Sequence, residues 1–239
     1  MKVEIWSDHV CPFCYIGKRK FEKALSEFAE RDQVEVAYRS FEIDPHAPLD
    51  VKEDIYDALA KKYGMTRERT IDMANGVEQQ AKEVGLDYDF DRVKRINTRD
   101  AHRLTHFATT QGKMAELTER LLKAYFIEFQ HIGDHETLAK IAAEVGLDHD
   151  EVLAVLSSND YNESVQNDIN EASKLGVNGV PFFVIDQKYA VSGAQSSDTF
   201  KEVLEKVWAE KSASPLIQVG ANREKDENDP ECSDGSCKV

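Results

Sequence analysis

The spacing of apolar and polar residues at the start of the chain predicts a β-α-β unit. Residues 2–8 alternate through Val3 and Ile5, which predicts a short strand. Apolar residues then recur at helical spacing between Phe21 and Phe28, which predicts an amphipathic helix. Alternation returns over residues 34–43, so a second strand is expected there.

The middle of the chain has a different periodicity. From about residue 50 to residue 174 nearly all segments have helical spacing, and several end at a glycine. Strand patterns return at residues 181–186 and 188–194, and a last amphipathic helix is predicted over 196–211. The elements are therefore expected in the order strand, helix, strand, many helices, two strands, helix.

This order predicts the domain organisation. A lone two-stranded unit is marginally stable, so the strands at the two ends are expected to share one sheet. We predict an α/β domain built from residues 1–45 and 173–211, with a helical insertion over 46–172. Residues 212–239 are rich in serine, glycine, asparagine and acidic residues, which predicts a flexible acidic tail.

Charge and composition narrow the classes of partner. The chain of 239 residues has 30 Lys and Arg against 45 Asp and Glu, a formal net charge of −15. Such a protein is a poor binder of polyanions, so no nucleic-acid partner is expected. No apolar stretch approaches the roughly 20 residues of a membrane span, and the first residues contain no export signal. No membrane partner and a cytoplasmic location are therefore expected.

The cysteines form two close pairs at opposite ends of the sequence. They are Cys11 with Cys14, and Cys232 with Cys237. A reducing cytoplasm disfavours structural disulfides, so this usage indicates redox chemistry or metal binding. The second pair, in the predicted tail, could exchange with the first, because a coil of about 20 residues spans roughly 25 Å.

The first pair lies at a predicted strand-to-helix junction, which favours redox chemistry. Unpaired N–H groups and the helix dipole stabilise a thiolate at a helix N-terminus. Cys11 precedes the first turn and is expected to attack, whereas Cys14, one turn further and less exposed, is expected to resolve. Pro12 suits the first turn of a helix. His9 is expected to add positive charge nearby, and Asp8 to oppose it.

Metal binding is the main alternative for these residue types. Cys11 and Cys14 could supply half of a zinc site, but the spacing of Cys232 and Cys237 is not the usual one. An inert buried pair is a further alternative.

Histidine pairs elsewhere also suggest metal chemistry at first sight. His102 and His106 are four apart on a predicted helix, yet no third ligand is evident, so they are expected on a partly exposed helical face. His131 and His135 lie on either side of Asp134, which is expected to be an N-cap. No metal site is therefore predicted.

Several segments together resemble the DsbA-type branch of the thioredoxin superfamily, and most closely its FrnE-like cytoplasmic group. The resemblance covers about residues 1–211 and implies a thioredoxin fold with a large all-helical insertion domain. It is carried by SDHVCPFCYIG (7–17), NTRDAHRL (97–104), FQHIGDHETLAKIA (129–142), GVNGVPFFVID (176–186) and YAVSGAQ (189–195).

The resemblance implies a role for each matching residue. Cys11 matches the nucleophile and Cys14 the resolving cysteine. Pro181 matches the cis-proline beside the dithiol, although the residues alone favour a proline that simply starts a strand. The backbone of Val180 could then pair with an extended substrate peptide. Phe13 stands where DsbA itself has a histidine, so the oxidising strength of DsbA does not carry over to this chain.

The expected function is thiol–disulfide exchange on protein thiols and disulfides, as a disulfide oxidoreductase or isomerase. No cofactor is expected beyond the redox-active disulfide, with glutathione as a co-substrate. Hydroxychromene-carboxylate isomerases and kappa-class glutathione transferases resemble the chain in the insertion but carry serine at the position of Cys11. A glutathione-dependent isomerase or transferase is therefore the alternative, and a non-catalytic redox sensor or metal-binding module is a third.

Overall fold

A computed structural model describes residues 1–48 and 54–212 of the chain. The strands within these ranges are β1 (Lys2–Ser7), β2 (Glu35–Ser40), β3 (Phe182–Ile185) and β4 (Tyr189–Ser192). The helices are α1 (Pro12–Glu27), α2 (Ile55–Tyr63), α3 (Arg67–Lys82), α4 (Arg99–Thr110), α5 (Met114–Phe126), α6 (His135–Glu144), α7 (His149–Ser157), α8 (Asn162–Lys174) and α9 (Ser197–Ser212), with a short 3-10 turn at Arg31–Gln33.

The strands from both ends of the described chain form one four-stranded sheet in the order β2-β1-β3-β4. β1 is parallel to β2 and antiparallel to β3, and β3 is antiparallel to β4. The expected thioredoxin fold with a helical insertion is confirmed. Because β1 and β2 are parallel, their carboxyl ends lie at the same edge of the sheet.

The alternation along β1 divides the sheet into two covered faces. Val3 and Ile5 pack with α1 and α9 in one core cluster that includes Phe21, Phe183 and other apolar residues. Trp6 lies in a smaller cluster on the opposite face, where its indole N–H donates to the carbonyl of Asp168 in α8 at 3.0 Å. Helices therefore cover both faces of the strand that leads to the cysteines.

The helices between β2 and α8 have a core of their own, and α1 contributes to it. Leu104, Leu121 and Phe126 are fully buried there, together with Tyr15 and Ile16 from α1. The boundary predicted at residue 172 falls inside α8, which packs against both α4 and β2. The division of the chain into domains therefore stays a prediction.

A cluster of charged side chains joins α1 to α5. Glu119 accepts hydrogen bonds from the Tyr15 hydroxyl at 2.7 Å and from Lys18 at 2.5 Å, and Arg19 also pairs with it. Lys18 is itself buried and pairs with Glu22 as well, so its charge has two carboxylate partners. In the described part of the chain, no helix combines the length and the hydropathy needed to cross a membrane.

The first turns of α1 lie close to the loop that precedes β3. A Cβ added at Gly17 would lie 2.9 Å from Cγ of Pro181 and 3.4 Å from Cβ of Ala194. Cβ atoms in folded proteins do not come this close to other atoms, and the Pro181 ring cannot rotate away because it is closed onto its own backbone nitrogen. A side chain at position 17 would therefore displace Pro181 or the helix.

Gly17→Ala should therefore destabilise the protein. We expect the free energy of unfolding in urea to fall by about 1–3 kcal/mol, the usual cost of overpacking. Gly76→Ala is the matched control, because Gly76 also lies inside a helix and its added Cβ would have nothing within 4 Å. That variant should be neutral or more stable by about 0.5–1 kcal/mol. Equal effects at the two positions would contradict the predicted clash.

Candidate active site

The chain turns from β1 into α1 at the two cysteines. β1 ends at Ser7, α1 begins at Pro12, and Cys11 is the N-cap residue in an extended conformation. No side chain accepts a hydrogen bond from the first-turn N–H groups, and no acidic residue lies in that turn. The positive end of the helix therefore faces Cys11, as the sequence predicted.

The two thiols lie side by side in different surroundings. Cys11 is 6% exposed, and its Sγ donates to the carbonyl of Val180 at 3.5 Å. Cys14 is 3% exposed, and its Sγ accepts from the backbone N–H of Asp8 at 3.5 Å. Burial, and then the contact with Cys11, raise the pKa of the Cys14 thiol well above its ordinary value. Cys14 is therefore a protonated thiol at neutral pH.

The loop before β3 faces the dithiol. The Val180–Pro181 peptide bond is cis, which confirms the geometry that the resemblance implied. The Pro181 ring rests on Gly17 of α1, and the Pro181 carbonyl accepts from the N–H of Gly193 at 2.8 Å. This packing holds the Val180 carbonyl against Cys11. Phe13, between the cysteines, is 36% exposed, so it gives the surface here an apolar side chain.

A buried carboxylate lies directly behind the cysteines. Asp8 has no exposed surface, and its Oδ1 lies 3.3 Å from Nε2 of His102 on α4. Its Oδ2 accepts from the N–H of Ile43 at 2.7 Å. Burial alone would raise the pKa of Asp8, but the hydrogen bond and charge of His102 and the Ile43 N–H hold it below its ordinary value. Asp8 is therefore ionised.

The prediction that His102 lies on a partly exposed helical face is wrong. His102 is 2% exposed because this face of α4 packs against the junction between β1 and α1. Its neighbours Ala101 and Leu104 are also fully buried. That apolar spacing in the sequence was the signal that the histidine belongs to an interior face.

The expectation that His9 adds positive charge beside the dithiol is also wrong. Burial, and then repulsion from His102, lower the pKa of His9 to about 3, so it is neutral at ordinary pH. Its ring centroid lies 4.6 Å from that of His102, and its Nε2 lies 3.2 Å from the Thr105 hydroxyl. His9 thus belongs to the contact between the junction and α4.

A tyrosine from the segment between α3 and α4 also contacts the motif. The Tyr88 hydroxyl donates to the carbonyl of Pro12 at 3.0 Å, and the Tyr88 ring stacks on Phe126 at a centroid distance of 4.6 Å. No motif in the sequence marks Tyr88 as a contact of the cysteines. His102 therefore contacts the cysteine segment before Cys11, at Asp8, and Tyr88 contacts it between the two cysteines, at Pro12.

His106 and His135 each pair with a carboxylate, that of Asp168 and that of Asp100. His106 lies 3.1 Å from both the Ser40 hydroxyl and the Asp168 carboxylate, so it does not share a ligand position with His102. Asp134 is confirmed as an N-cap, with its side chain accepting from the N–H of Thr137 at 2.8 Å. Over residues 1–48 and 54–212, no group of three or more His, Cys, Asp or Glu residues is arranged to hold a metal ion. Cys232 and Cys237 lie outside the described residues.

A family model described as a DsbA-like thioredoxin domain matches residues 2–205. The chain therefore belongs to the DsbA-like thioredoxin domain family, a family of thiol oxidoreductases and isomerases.

Individual relatives are consistent with this assignment. The chain is 29% identical to the uncharacterized protein YwbO of Bacillus subtilis over 204 residues, which are 84% of this chain and 94% of YwbO. A probable DsbA oxidoreductase from Streptomyces coelicolor is 39% identical and superimposes with a TM-score of 0.85, covering 100% of this chain and 99% of that one.

More distant structures share the fold alone. A 2-hydroxychromene-2-carboxylate isomerase has a TM-score of 0.65 at 14% identity, over 89% of this chain and 98% of its own. The cytosolic disulfide reductase DsbM of Pseudomonas aeruginosa, in a structure with GSH, has a TM-score of 0.59 at 16% identity, over 87% and 100%.

The neutral, buried His9 makes stability depend on pH. Its pKa is about 3 in the folded protein against an ordinary 6.5, so below pH 6.5 the unfolded chain binds a proton that the folded chain does not. The stability that comes from keeping His9 neutral is therefore complete above pH 6.5 and is lost as the pH falls toward 3. In His9→Asn we therefore expect the free energy of unfolding, measured in urea, to fall less between about pH 7.5 and about pH 5 than it does in the unmodified protein.

His149→Asn is the control for that measurement. His149 is partly exposed at the surface, and its hydrogen bond with Asp150 raises its pKa, so replacing it should not reduce the loss at low pH. An unchanged loss in His9→Asn would show that His9 is not held neutral in the fold.

Proposed function

We propose that the protein is a thiol–disulfide oxidoreductase that acts on protein disulfides through Cys11 and Cys14. The observation that carries the proposal is the position of the Cys11 sulfur, at the uncapped start of α1 and in contact with Val180, with Cys14 enclosed behind it. The oxidoreductase chemistry of the family supports it. The finer assignment to the FrnE-like group remains part of the proposal.

The two cysteines have different roles in this proposal. In the reducing direction the Cys11 thiolate attacks a substrate disulfide, forms a mixed disulfide and releases one substrate thiol. Cys14 then loses its proton and attacks the Cys11 sulfur. The Cys11–Cys14 bond forms, the bond to the substrate breaks, and the second substrate thiol leaves with a proton. The high pKa of Cys14 supports this order, because a protonated thiol does not attack first.

The Val180–Pro181 loop orients the substrate. Val180 ends the loop beside the Cys11 sulfur, and its backbone could pair with an extended peptide as an added strand. The exposed Phe13 and the half-buried Val10 and Val180 offer apolar contacts to the substrate. An unfolded or locally extended protein segment with apolar side chains fits such a surface better than a highly charged segment does.

Glutathione is the co-substrate that we propose for completing the cycle. Two glutathione molecules would return the Cys11–Cys14 disulfide to the dithiol and leave as oxidised glutathione, so that no resident cofactor is needed. The DsbM structure with GSH, a protein of the same fold, supports this choice. A reducing compartment, the cytoplasm, is the proposed setting.

The second cysteine pair extends the proposal. Cys232 and Cys237 are separated by four residues, and the described part of the chain ends about 20 residues before them. We propose that this pair exchanges with Cys11–Cys14 and relays oxidising equivalents to or from it.

Substitution of the two cysteines tests the central assignment. Cys11→Ser should abolish reduction of a disulfide-bonded protein substrate. Cys14→Ser should accumulate a mixed disulfide between Cys11 and the substrate, because the resolving thiol is missing. Non-reducing electrophoresis and mass spectrometry of the adduct provide the measurement. Glutathione-dependent turnover that survives Cys11→Ser would instead favour the isomerase or transferase alternative.

Removal of residues 213–239 tests the relay separately. We expect the truncated protein to keep the Cys11–Cys14 redox equilibrium with glutathione but to turn over more slowly. The double variant Cys232→Ser with Cys237→Ser is the matched full-length control and should behave like the truncation. Unchanged turnover in both proteins would disprove the relay and leave the role of Cys11 and Cys14 intact.

A further inference from the structure

The main chain of Asp8 contacts both cysteines. Its N–H donates to Sγ of Cys14 at 3.5 Å, and its carbonyl accepts from the N–H of Cys11 at 3.2 Å. The orientation of Asp8 therefore determines where one hydrogen-bond donor meets the resolving thiol; the Ser7 side chain is a second hydrogen-bond partner of that thiol.

The side chain of Asp8 has contacts that fix this orientation. His102 of α4 and the N–H of Ile43, just after β2, hold one carboxylate oxygen each, and water has no access to either. A buried carboxylate cannot leave such partners without a large desolvation cost. The position of the Asp8 peptide is thus tied to two elements that do not belong to the cysteine motif.

The His102 ring is in turn supported by its neighbours. It packs against the His9 ring, whose Nε2 contacts the Thr105 hydroxyl. That hydroxyl donates to the carbonyl of Ala101 at 2.9 Å, so the proton between Thr105 and His9 comes from His9 Nε2. His9 is therefore a neutral ring protonated at Nε2, and it presents no competing charge to the pair of Asp8 and His102.

We propose that Asp8 is a positioning residue for the resolving step, and that His102 acts on Cys14 through it. The pair holds the Asp8 N–H on the Cys14 sulfur, where this donor stabilises the thiolate that attacks the mixed disulfide. The proposal rests on the proposed function and adds to it that the insertion helix α4 controls the second thiol exchange. The first exchange, by Cys11, does not depend on the hydrogen bond from the Asp8 N–H to the Cys14 sulfur.

The charge and the position of Asp8 act in opposite directions, which makes the proposal testable. A negative charge near Cys14 disfavours its thiolate, so loss of the charge alone would speed the resolving step. Loss of the positioned N–H donor would slow it. The direction of the change therefore separates the two effects.

An aromatic disulfide whose released thiol absorbs light reports the two steps separately. With the reduced full-length protein, the first equivalent of aromatic thiol reports attack by Cys11, and the second reports resolution by Cys14. Stopped-flow absorbance gives both rate constants in one experiment. In Asp8→Ala we expect the second rate constant to fall about tenfold and the first to stay within about twofold.

Asp8→Asn is the conservative variant. Its amide oxygen can still accept from the Ile43 N–H, so it keeps the position and removes the charge. We expect its second rate constant to equal or exceed that of the unmodified protein. If Asp8→Ala does not fold, Asp8→Ser takes its place. The serine hydroxyl is too short to reach His102, and it carries no charge.

Asp168→Ala is the matched control. Asp168 is also buried, pairs with a histidine of α4 and accepts from a backbone N–H, that of Ser40 at 2.8 Å, but neither its side chain nor its main chain contacts a cysteine. This variant should lose stability in urea and keep both rate constants.

An unchanged or faster second step in Asp8→Ala, or an equal slowing of both steps, would overturn the positioning role. A second step absent from the unmodified protein would instead refute the proposed function.

Discussion

The junction that carries the cysteines depends on one charge that water does not reach. The Asp8 carboxylate is completely buried and ionised, and its hydrogen-bond partners come from α4 and from the segment just after β2. An unpaired charge at this depth would be strongly destabilising. The dithiol therefore acquires its geometry only when the sheet and the inserted helices are packed together, and the insertion is part of the candidate active site.

The fold could be predicted because its signals are local and repeated. Alternation in β1 and helical spacing in α1 each reflect one face whose apolar side chains are buried in the core that the two elements share with α9. The shared sheet followed from the marginal stability of a two-stranded unit. The extent of the insertion could not be fixed in the same way, because α8 packs against both α4 and β2 and its periodicity fits either neighbour.

The candidate site could be predicted only as far as it lies within short motifs. Cys11, Cys14 and Pro181 stand in recognisable segments, and the cis bond at Val180–Pro181 agrees with the resemblance. His102 and Tyr88 reach the motif from positions more than 70 residues away, through contacts that no spacing rule describes. The charge of His9 was predicted wrongly for the same reason, since burial by α4 lowers its pKa.

The pairing of β1 with β3 has a consequence for the newly made chain. Val3 lies opposite Ile185, so the central pair of strands cannot form until most of the protein has been synthesised. Cys11 and Cys14 precede both α4 and the Val180–Pro181 loop in the chain, so they leave the ribosome before the elements that enclose them in the folded protein. Until then both thiols are ordinary cysteines of an unfolded segment, without the burial that raises the pKa of Cys14 in the folded protein.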